Sequence, residues 1–364
     1  MDSIPKKQQI APFLVFFVIH SVQIGIGILG FQREVANSAG YDSWIAVIIA
    51  TLGTTIVLFI IFKVIELGKG DLIQTHYFVY GKIFGRLFNV VIAIYFTAIV
   101  IGVIRTYIEI LQVWFFEDLS VFWFTFSFLL LAIYIVNGGF KTIVGISFFS
   151  VILPIYVYFT FLFAVPYSDY TDFLPVLDHS LKSIMKASFQ LSLSFIGYEA
   201  LLIFYPFIQD GKKAKKWAHL GNLATGFIYL FIIFISFGYY SEPQLRHIIW
   251  ATISIWKIVK LSFLWRFEYI GIATWFLVIL PNICIPLWCA SRIMKKTVKI
   301  TQRKALIGIS IVVLVLTSSL FQTRKQISAF LQLLGNVGVI INFIYIPLLL
   351  LLVLIARKVK KGEK

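Results

Sequence analysis

Ten long apolar stretches dominate this sequence. Crossing the hydrocarbon core of a bilayer takes about twenty mostly apolar residues in a helix. Only helices and closed barrels satisfy their own backbone hydrogen bonds at that depth. The chain is therefore predicted to be an all-α integral membrane protein, a single polytopic domain over residues 1–364 with about ten transmembrane helices. The predicted spans are Ile10–Asn37, Asp42–Leu67, Lys82–Trp114, Val121–Asn137, Thr142–Pro166, Lys182–Ile208, Trp217–Tyr240, Phe267–Arg292, Arg303–Phe321 and Ile327–Arg357.

The composition excludes the soluble classes of protein. Hydrophobic residues make up 60% of the chain and charged residues only 13%, whereas a soluble protein carries roughly a quarter charged residues. The formal net charge of +16 would suggest nucleic acid in a soluble protein. Here the lipid bilayer is the expected partner and nucleic acid is not.

The basic residues indicate the orientation in the membrane. Short loops rich in Lys and Arg stay in the cytoplasm. The loop before the seventh span holds Lys212, Lys213, Lys215 and Lys216, whereas the loops on the opposite side carry acidic residues such as Glu117 and Asp169. Both termini are therefore predicted to be cytoplasmic.

Two of the spans contain residues that disfavour an uninterrupted helix. The first span holds the run Gly25-Ile26-Gly27-Ile28-Leu29-Gly30, and each glycine lowers the stability of a helix interior by up to about 1 kcal/mol relative to alanine. The sixth span holds Ser192, Ser194, Gly197 and Glu199 at the matching depth, with Pro206 near its end. Glycine alone is also explained by close helix packing, but broken helices explain both spans together.

The positions of the two breaks predict an inverted repeat. Five spans form the first repeat, residues 10–166, and five form the second, residues 182–357. An odd number of spans makes the second repeat enter the membrane upside down. Transporters of this design bind a small polar ligand near the bilayer midplane, between the broken helices.

The sequence resembles a known family. The segments that carry the resemblance are GIGILGFQREVANSAGYDSWI at Gly25–Ile45, RTYIE at Arg105–Glu109 and SFIGYEALLIFYPF at Ser194–Phe207. They are similar to the B subunit of the nutrient germinant receptors of endospore-forming bacteria, a branch of the amino acid–polyamine–organocation superfamily. The resemblance implies a ten-helix fold like that of the sodium-coupled amino acid transporters. It also implies a location in the spore inner membrane, partners in the receptor A subunit and C lipoprotein subunit, and a small amino acid-like nutrient as ligand.

The same resemblance implies that the third and eighth spans complete the ligand pocket. By depth, Tyr95, Ile99 and Gly102 share one face near the middle of the third span, and Pro281 and Asn282 lie near the middle of the eighth. Ile99 is equally explained by ordinary packing, whereas a hydroxyl or amide in hydrocarbon needs a partner. The predicted substrate-binding residues are Gly25, Ile26, Gly27, Ile28, Tyr95, Ile99, Phe195, Ile196, Gly197, Glu199, Pro281 and Asn282.

Glu199 has three candidate roles. Its carboxylate could neutralise a ligand ammonium, hold the unwound backbone, or accept a proton. Arg105 and Glu109 stand one helical turn apart and are predicted to pair with each other.

Catalysis has no support in the sequence. No metalloprotease, nucleophile-elbow or phosphate-loop motif is present, so we expect no enzyme activity, no cofactor and no metal site. Sodium-coupled relatives implied by the resemblance commonly use hydroxyls of the eighth helix as ion ligands. No Ser or Thr lies between Thr274 and Ser291 here, so sodium coupling is not expected. The alternative function is an amino acid transporter or permease of the same superfamily.

The segment Ser241–Arg266 lies between the seventh and eighth spans and is too charged to cross the bilayer. It contains Trp250, Trp256 and Trp265. We expect it to form one or two helices lying at the membrane interface.

Overall fold

The computed structural model describes residues 4–68, 70–260, 265–321 and 323–362, and its regular elements there are helices. The first half of the chain forms α1 Leu14–Gln23, α2 Phe31–Ala39, α3 Ser43–Leu67, α4 Leu72–Trp114, α5 Val121–Asn137, α6 Phe140–Ile152 and α7 Ile155–Thr160. The second half forms α8 Leu181–Gln190, α9 Ser192–Phe195, α10 Leu201–Phe204, α11 Gly211–Tyr239, α12 Glu242–His247, α13 Ala251–Ile255, α14 Phe267–Val298, α15 Gln302–Ser319, α16 Arg324–Val339 and α17 Ile346–Gly362.

The helices correspond to the predicted spans. Within the described residues, seven helical segments are long and apolar enough to cross a membrane, and α1 and α5 are shorter apolar helices. The sixth predicted span is divided into α8, α9 and α10. The all-α membrane fold with broken first and sixth helices is confirmed.

The third span begins where the sequence predicted it. Helix α4 starts at Leu72, but Gly81 has φ +74° and ψ −171°, a conformation outside the α-helix. Glycine takes a positive φ without steric penalty, so the chain turns there and the spanning helix starts at Lys82. The short arm before the turn is capped by Asp71, whose side chain accepts a hydrogen bond from the Gln74 N–H at 2.8 Å.

The packing pairs spans that lie five positions apart in the order of the chain. Helix α3 packs against α11, α4 against α14, α5 against α15, and α2 against α8. The first and sixth spans are antiparallel, because the start of one is bonded to the end of the other. Ile10 N–H donates to Phe207 O at 2.7 Å, and Gln209 N–H donates to Ile10 O at 3.0 Å. An inverted repeat places equivalent helices in this way, while the repeat boundaries at residues 10–166 and 182–357 remain a prediction.

One face of the helix bundle, which we call the terminal face, is closed by polar and aromatic contacts. It contains the Ile10–Phe207 bridge, and the Arg292 guanidinium lies 4.4 Å from the centre of the Phe207 ring. Nearby, Lys296 at the end of α14 pairs with Asp71 at the start of α4. These contacts tie together the ends of the first, sixth and eighth spans and the arm before the third.

The segment between α11 and α14 contains two short helices, α12 and α13, as predicted, but most of its tryptophan side chains are buried within the protein, and its location at the membrane interface remains a prediction. Trp256 is completely buried, and Trp250 is only 9% exposed. The Trp256 ring centre lies 5.8 Å from that of Phe161, and its indole packs on Gly271, where an added Cβ would lie 2.5 Å from it. The local pattern was amphipathic, but its apolar face packs into the helix bundle rather than into lipid. Of the three tryptophans only Trp265 is exposed, and residues 261–264 of the segment lie outside the described residues.

Candidate ligand-binding site

The first span is unwound between α1 and α2. Helix α1 ends at Gln23, and Ile24 is already extended with φ −96° and ψ 98°. A short 3-10 turn follows at Gly27–Leu29, and α2 starts after Gly30. The glycines permit this geometry by allowing close approach: a Cβ on Gly25 would lie 2.7 Å from Asn282 Oδ1, and one on Gly27 would overlap the Ser194 side chain.

The carbonyl groups of this unwound segment have partners on distant parts of the chain. Asn282 Nδ2 donates to Ser21 O at 2.8 Å and to Ile24 O at 3.1 Å, and Trp275 Nε1 donates to Gly25 O at 3.0 Å. Both side chains belong to α14. Two further carbonyl oxygens accept hydrogen bonds from hydroxyl groups. The Tyr229 hydroxyl donates to Gln23 O at 3.4 Å, and the Thr252 hydroxyl donates to Ile28 O at 2.7 Å.

The amide N–H groups of the same segment are not matched in this way. Ile24 N–H still donates to His20 O, and the next N–H that donates to a backbone carbonyl is that of Leu29, to Ile26 O. Within the described part of the chain, the N–H groups of residues 25–28 donate to no backbone carbonyl. A buried N–H without a partner is unfavourable, so these donors are available to a group that accepts hydrogen bonds.

The sixth span is broken at Ile196 and Gly197. Ile196 is extended, and Gly197 has φ +110°, a conformation that L side chains rarely adopt. The Glu199 carboxylate holds this break: Oε2 accepts the Gly197 N–H at 2.8 Å, and Oε1 accepts the Tyr95 hydroxyl at 2.7 Å. Glu199 is 3% exposed, so both of its oxygens are occupied inside the protein.

A cavity of about 840 Å³ lies between the two breaks. The predicted residues that line it are Gly25, Ile26, Gly27, Ile99, Ile196, Gly197 and Asn282. The other five do not line it: Ile28, Phe195 and Tyr95 are buried in the packing around the breaks, Glu199 lies behind Gly197, and Pro281 is buried within α14.

One part of the cavity wall is apolar. It is formed by the side chains of Val22, Ile99, Val103, Ile196, Leu334 and Val339. The last two belong to α16, the first part of the tenth span, which the sequence analysis did not assign to the site. The glycines of the tenth span were the sequence signal that could have assigned this span to the site. Gly338 packs so closely on the sixth-span break that an added Cβ would lie 2.8 Å from Ile196 Cγ2.

Another part of the cavity wall contains charged and aromatic side chains. Arg324 at the start of α16 pairs with Glu109 of α4, and its guanidinium lies 5.2 Å from the centre of the Trp250 ring. The predicted pairing of Arg105 with Glu109 is wrong: Glu109 binds Arg324, and Arg105 Nε donates to Phe321 O at 3.0 Å. The tertiary partner is better placed than the residue one turn away.

No candidate metal centre exists among the described residues, where no three His, Cys, Asp or Glu side chains cluster. Cys284 and Cys289 are free and buried.

Comparisons with known proteins agree on one family and one fold. Residues 9–327 match the family described as "Spore germination protein". The chain is 35% identical over 352 residues to spore germination protein GerQB of Bacillus cereus, covering 97% of this chain and 98% of that protein. It is 26% identical over 264 residues to spore germination protein B2 of Bacillus subtilis strain 168, covering 71% of each.

Among solved structures, a Na⁺-coupled sialic acid symporter superposes with a TM-score of 0.66 at 13% identity, covering 93% of this chain and 78% of that one. MhsT in complex with L-phenylalanine superposes with a TM-score of 0.58 at 14% identity, covering 94% of this chain and 98% of that one. At such low sequence identities, these superpositions show a similar fold and nothing more specific.

Proposed function

The chain belongs to the spore germination protein family, and from that premise we propose that it is the nutrient-binding membrane subunit of a spore germinant receptor. In this proposal a small nutrient occupies the cavity between the two broken helices. The protein would act by binding this nutrient and signalling, and no catalytic step is assigned to the protein.

The observation that carries the proposal is the contrast between N–H and C=O groups in the first-span break. Its carbonyls are occupied by side chains such as Asn282 and Trp275, while the N–H groups of residues 25–28 have no backbone acceptor among the described residues. Several N–H donors together favour an anionic acceptor. We therefore assign the carboxylate of an amino acid to this position.

The other residues that line the cavity suggest where the ammonium group and the side chain of the ligand would lie. The Nδ2 atom of Asn282 is engaged by carbonyls, so its Oδ1 atom is available to a ligand ammonium in the cavity. The side chain of the ligand would lie against Ile99, Ile196 and Val339, which are apolar. Together these groups fit a zwitterionic amino acid with an apolar side chain.

Ligand binding to the purified protein tests this assignment. Each of the common L-amino acids is added to the detergent-solubilised chain, and thermal stabilisation identifies the binders. An apolar amino acid such as L-leucine should stabilise the protein, and L-leucinamide should bind about 100-fold more weakly. Hydrogen bonds to a charged group contribute about 1.5–3 kcal/mol each, and about 1.4 kcal/mol is tenfold in affinity. Equal affinity for acid and amide would exclude the carboxylate assignment.

The second candidate is an amino acid transporter of the same superfamily. What favours it is the fold itself, which is similar to that of a Na⁺-coupled symporter. Reconstitution in proteoliposomes separates the two. A receptor subunit should bind the labelled amino acid without concentrating it, whereas saturable accumulation inside the vesicles would establish transport.

We further propose that the chain lies in the spore inner membrane with both termini in the cytoplasm. The A subunit and the C lipoprotein subunit of the receptor would be its partners. Affinity purification of the tagged chain from spores, followed by mass spectrometry, should recover both partners. A chain that purifies alone under gentle detergent conditions would contradict the assembly.

A further inference from the structure

Three backbone carbonyl oxygens converge on one nitrogen atom beside the first-span break. Asn282 Nδ2 lies 2.8 Å from Ser21 O, 3.1 Å from Ile24 O and 3.2 Å from Val278 O. The first two oxygens belong to the first span and the third to α14. The amide nitrogen therefore lies at the point where the two spans meet.

Two of these oxygens are free because the helix is unwound. In a continuous helix Ser21 O would accept the N–H of Gly25, and Ile24 O that of Ile28. Neither N–H makes a backbone bond among the described residues. Unpaired carbonyls buried in a membrane protein must find another positive partner.

A cluster of carbonyl oxygens around one point is the arrangement by which proteins coordinate hard cations. The three oxygens here are neutral, so a monovalent ion is the chemically matching occupant. The Asn282 side chain places the partial positive charge of its NH₂ group at that point instead. Its orientation is fixed, because the oxygen end of the amide would meet only acceptors.

We propose that the Asn282 amide substitutes for a monovalent cation, holding the first-span break against α14 without an ion. The neighbourhood is built for this side chain. Gly25 passes so close that a Cβ there would lie 2.7 Å from Asn282 Oδ1, and Trp275 from the same helix donates to Gly25 O. The contact between the two spans consequently needs no bound ion, and the inference does not depend on which ligand fills the cavity.

The test measures the thermal stability of the full-length solubilised chain in NaCl, KCl and choline chloride at equal ionic strength. The natural chain should unfold at the same temperature in all three salts. Asn282→Ser removes the NH₂ group and leaves the carbonyls facing a small space with a hydroxyl. This variant should be less stable in choline chloride and gain about 2 °C or more in NaCl or KCl, since an ion that binds only the folded state stabilises it.

A second variant and a control keep the test decisive. Asn282→Asp retains the size but places a carboxylate against the carbonyls, so its stability should depend even more on Na⁺ or K⁺. Asn89→Ser removes another buried amide, one that bonds to His76 Nδ1 at 2.7 Å, and should lose stability equally in every salt. A higher unfolding temperature of the natural chain in NaCl or KCl than in choline chloride would overturn the proposal. So would Asn282 variants whose unfolding temperature is the same in all three salts.

Discussion

The hydroxyl of Tyr95 donates to Oε1 of Glu199 over 2.7 Å, while the other oxygen of that carboxylate accepts the N–H of Gly197. The third span is thereby connected directly to the break in the sixth. Of the three roles open to Glu199, the geometry supports holding the unwound backbone. A ligand in the cavity would reach the break itself and not the carboxylate behind it.

Glu199→Gln should therefore damage stability more than sensitivity. The neutral side chain retains an acceptor but loses charge-assisted bonds that contribute about 1.5–3 kcal/mol. We expect lower membrane abundance and a lower unfolding temperature, with the half-saturating nutrient concentration per surviving molecule nearly unchanged. Tyr95→Phe removes one of the same bonds and should have the same effect at smaller size. A loss of sensitivity of about tenfold at normal abundance would instead place Glu199 in contact with the ligand.

Gly27→Leu should abolish the nutrient response in a protein that still inserts. A side chain at this position would collide with Ser194 across the two breaks, and leucine also favours the helix that must stay unwound. Gly308→Leu is the matched control, because Gly308 is exposed and an added Cβ there would have nothing within 4 Å. Spore germination is measured against nutrient concentration for both. A normal dose–response for the first variant would mean that its glycine serves packing only.

Ile99→Phe should change which amino acid is preferred. The larger ring would fill part of the apolar wall, so smaller ligands should retain binding while larger ones lose about tenfold or more, equivalent to about 1.4 kcal/mol. The control is Ile94→Phe on the same helix, where the side chain is 63% exposed on the outside of the bundle. If both variants keep the natural preference, Ile99 does not contact the ligand.

Cysteine labelling tests the orientation. Lys213 lies at the exposed start of α11 and Asp169 in an exposed loop, and the basic and acidic residues assign these positions to opposite sides. An impermeant thiol reagent added to intact vegetative cells that express the chain in their cell membrane should modify the Asp169→Cys variant and spare Lys213→Cys. The two natural cysteines are buried and should not react with the reagent. Reversed labelling would place both termini outside.

The sequence was sufficient to predict the fold because the relevant signals are local. Apolar runs define the spans, and glycines in mid-membrane mark the breaks at Gly27 and Gly197. Asn282 was recognisable because an amide in hydrocarbon requires partners, although their identity was not. Those partners, the carbonyls of Ser21 and Ile24, are 261 and 258 positions away in the chain.

The rest of the site depends on tertiary contacts that no local pattern contains. Helix α16 looks like any apolar span, yet Leu334 and Val339 complete the cavity wall. Trp256 lies in a segment whose charges suggest an interface, yet it is buried by packing on Gly271 and against Phe161. Glu109 has a cation one turn away, but it pairs with Arg324, which lies 215 positions further along.

The partners of the first-span break also determine when it can form. Its carbonyls bond to Tyr229, Thr252, Trp275 and Asn282, all of which leave the ribosome long after the first span has entered the membrane. Until then an unwound segment would expose unpaired carbonyls, each at a cost of several kcal/mol in hydrocarbon. The first span must therefore remain a continuous helix, or keep its carbonyls in contact with water, and unwind only after the second half of the chain has been inserted. The cavity between the two breaks can therefore be completed only after the second half of the chain has been inserted.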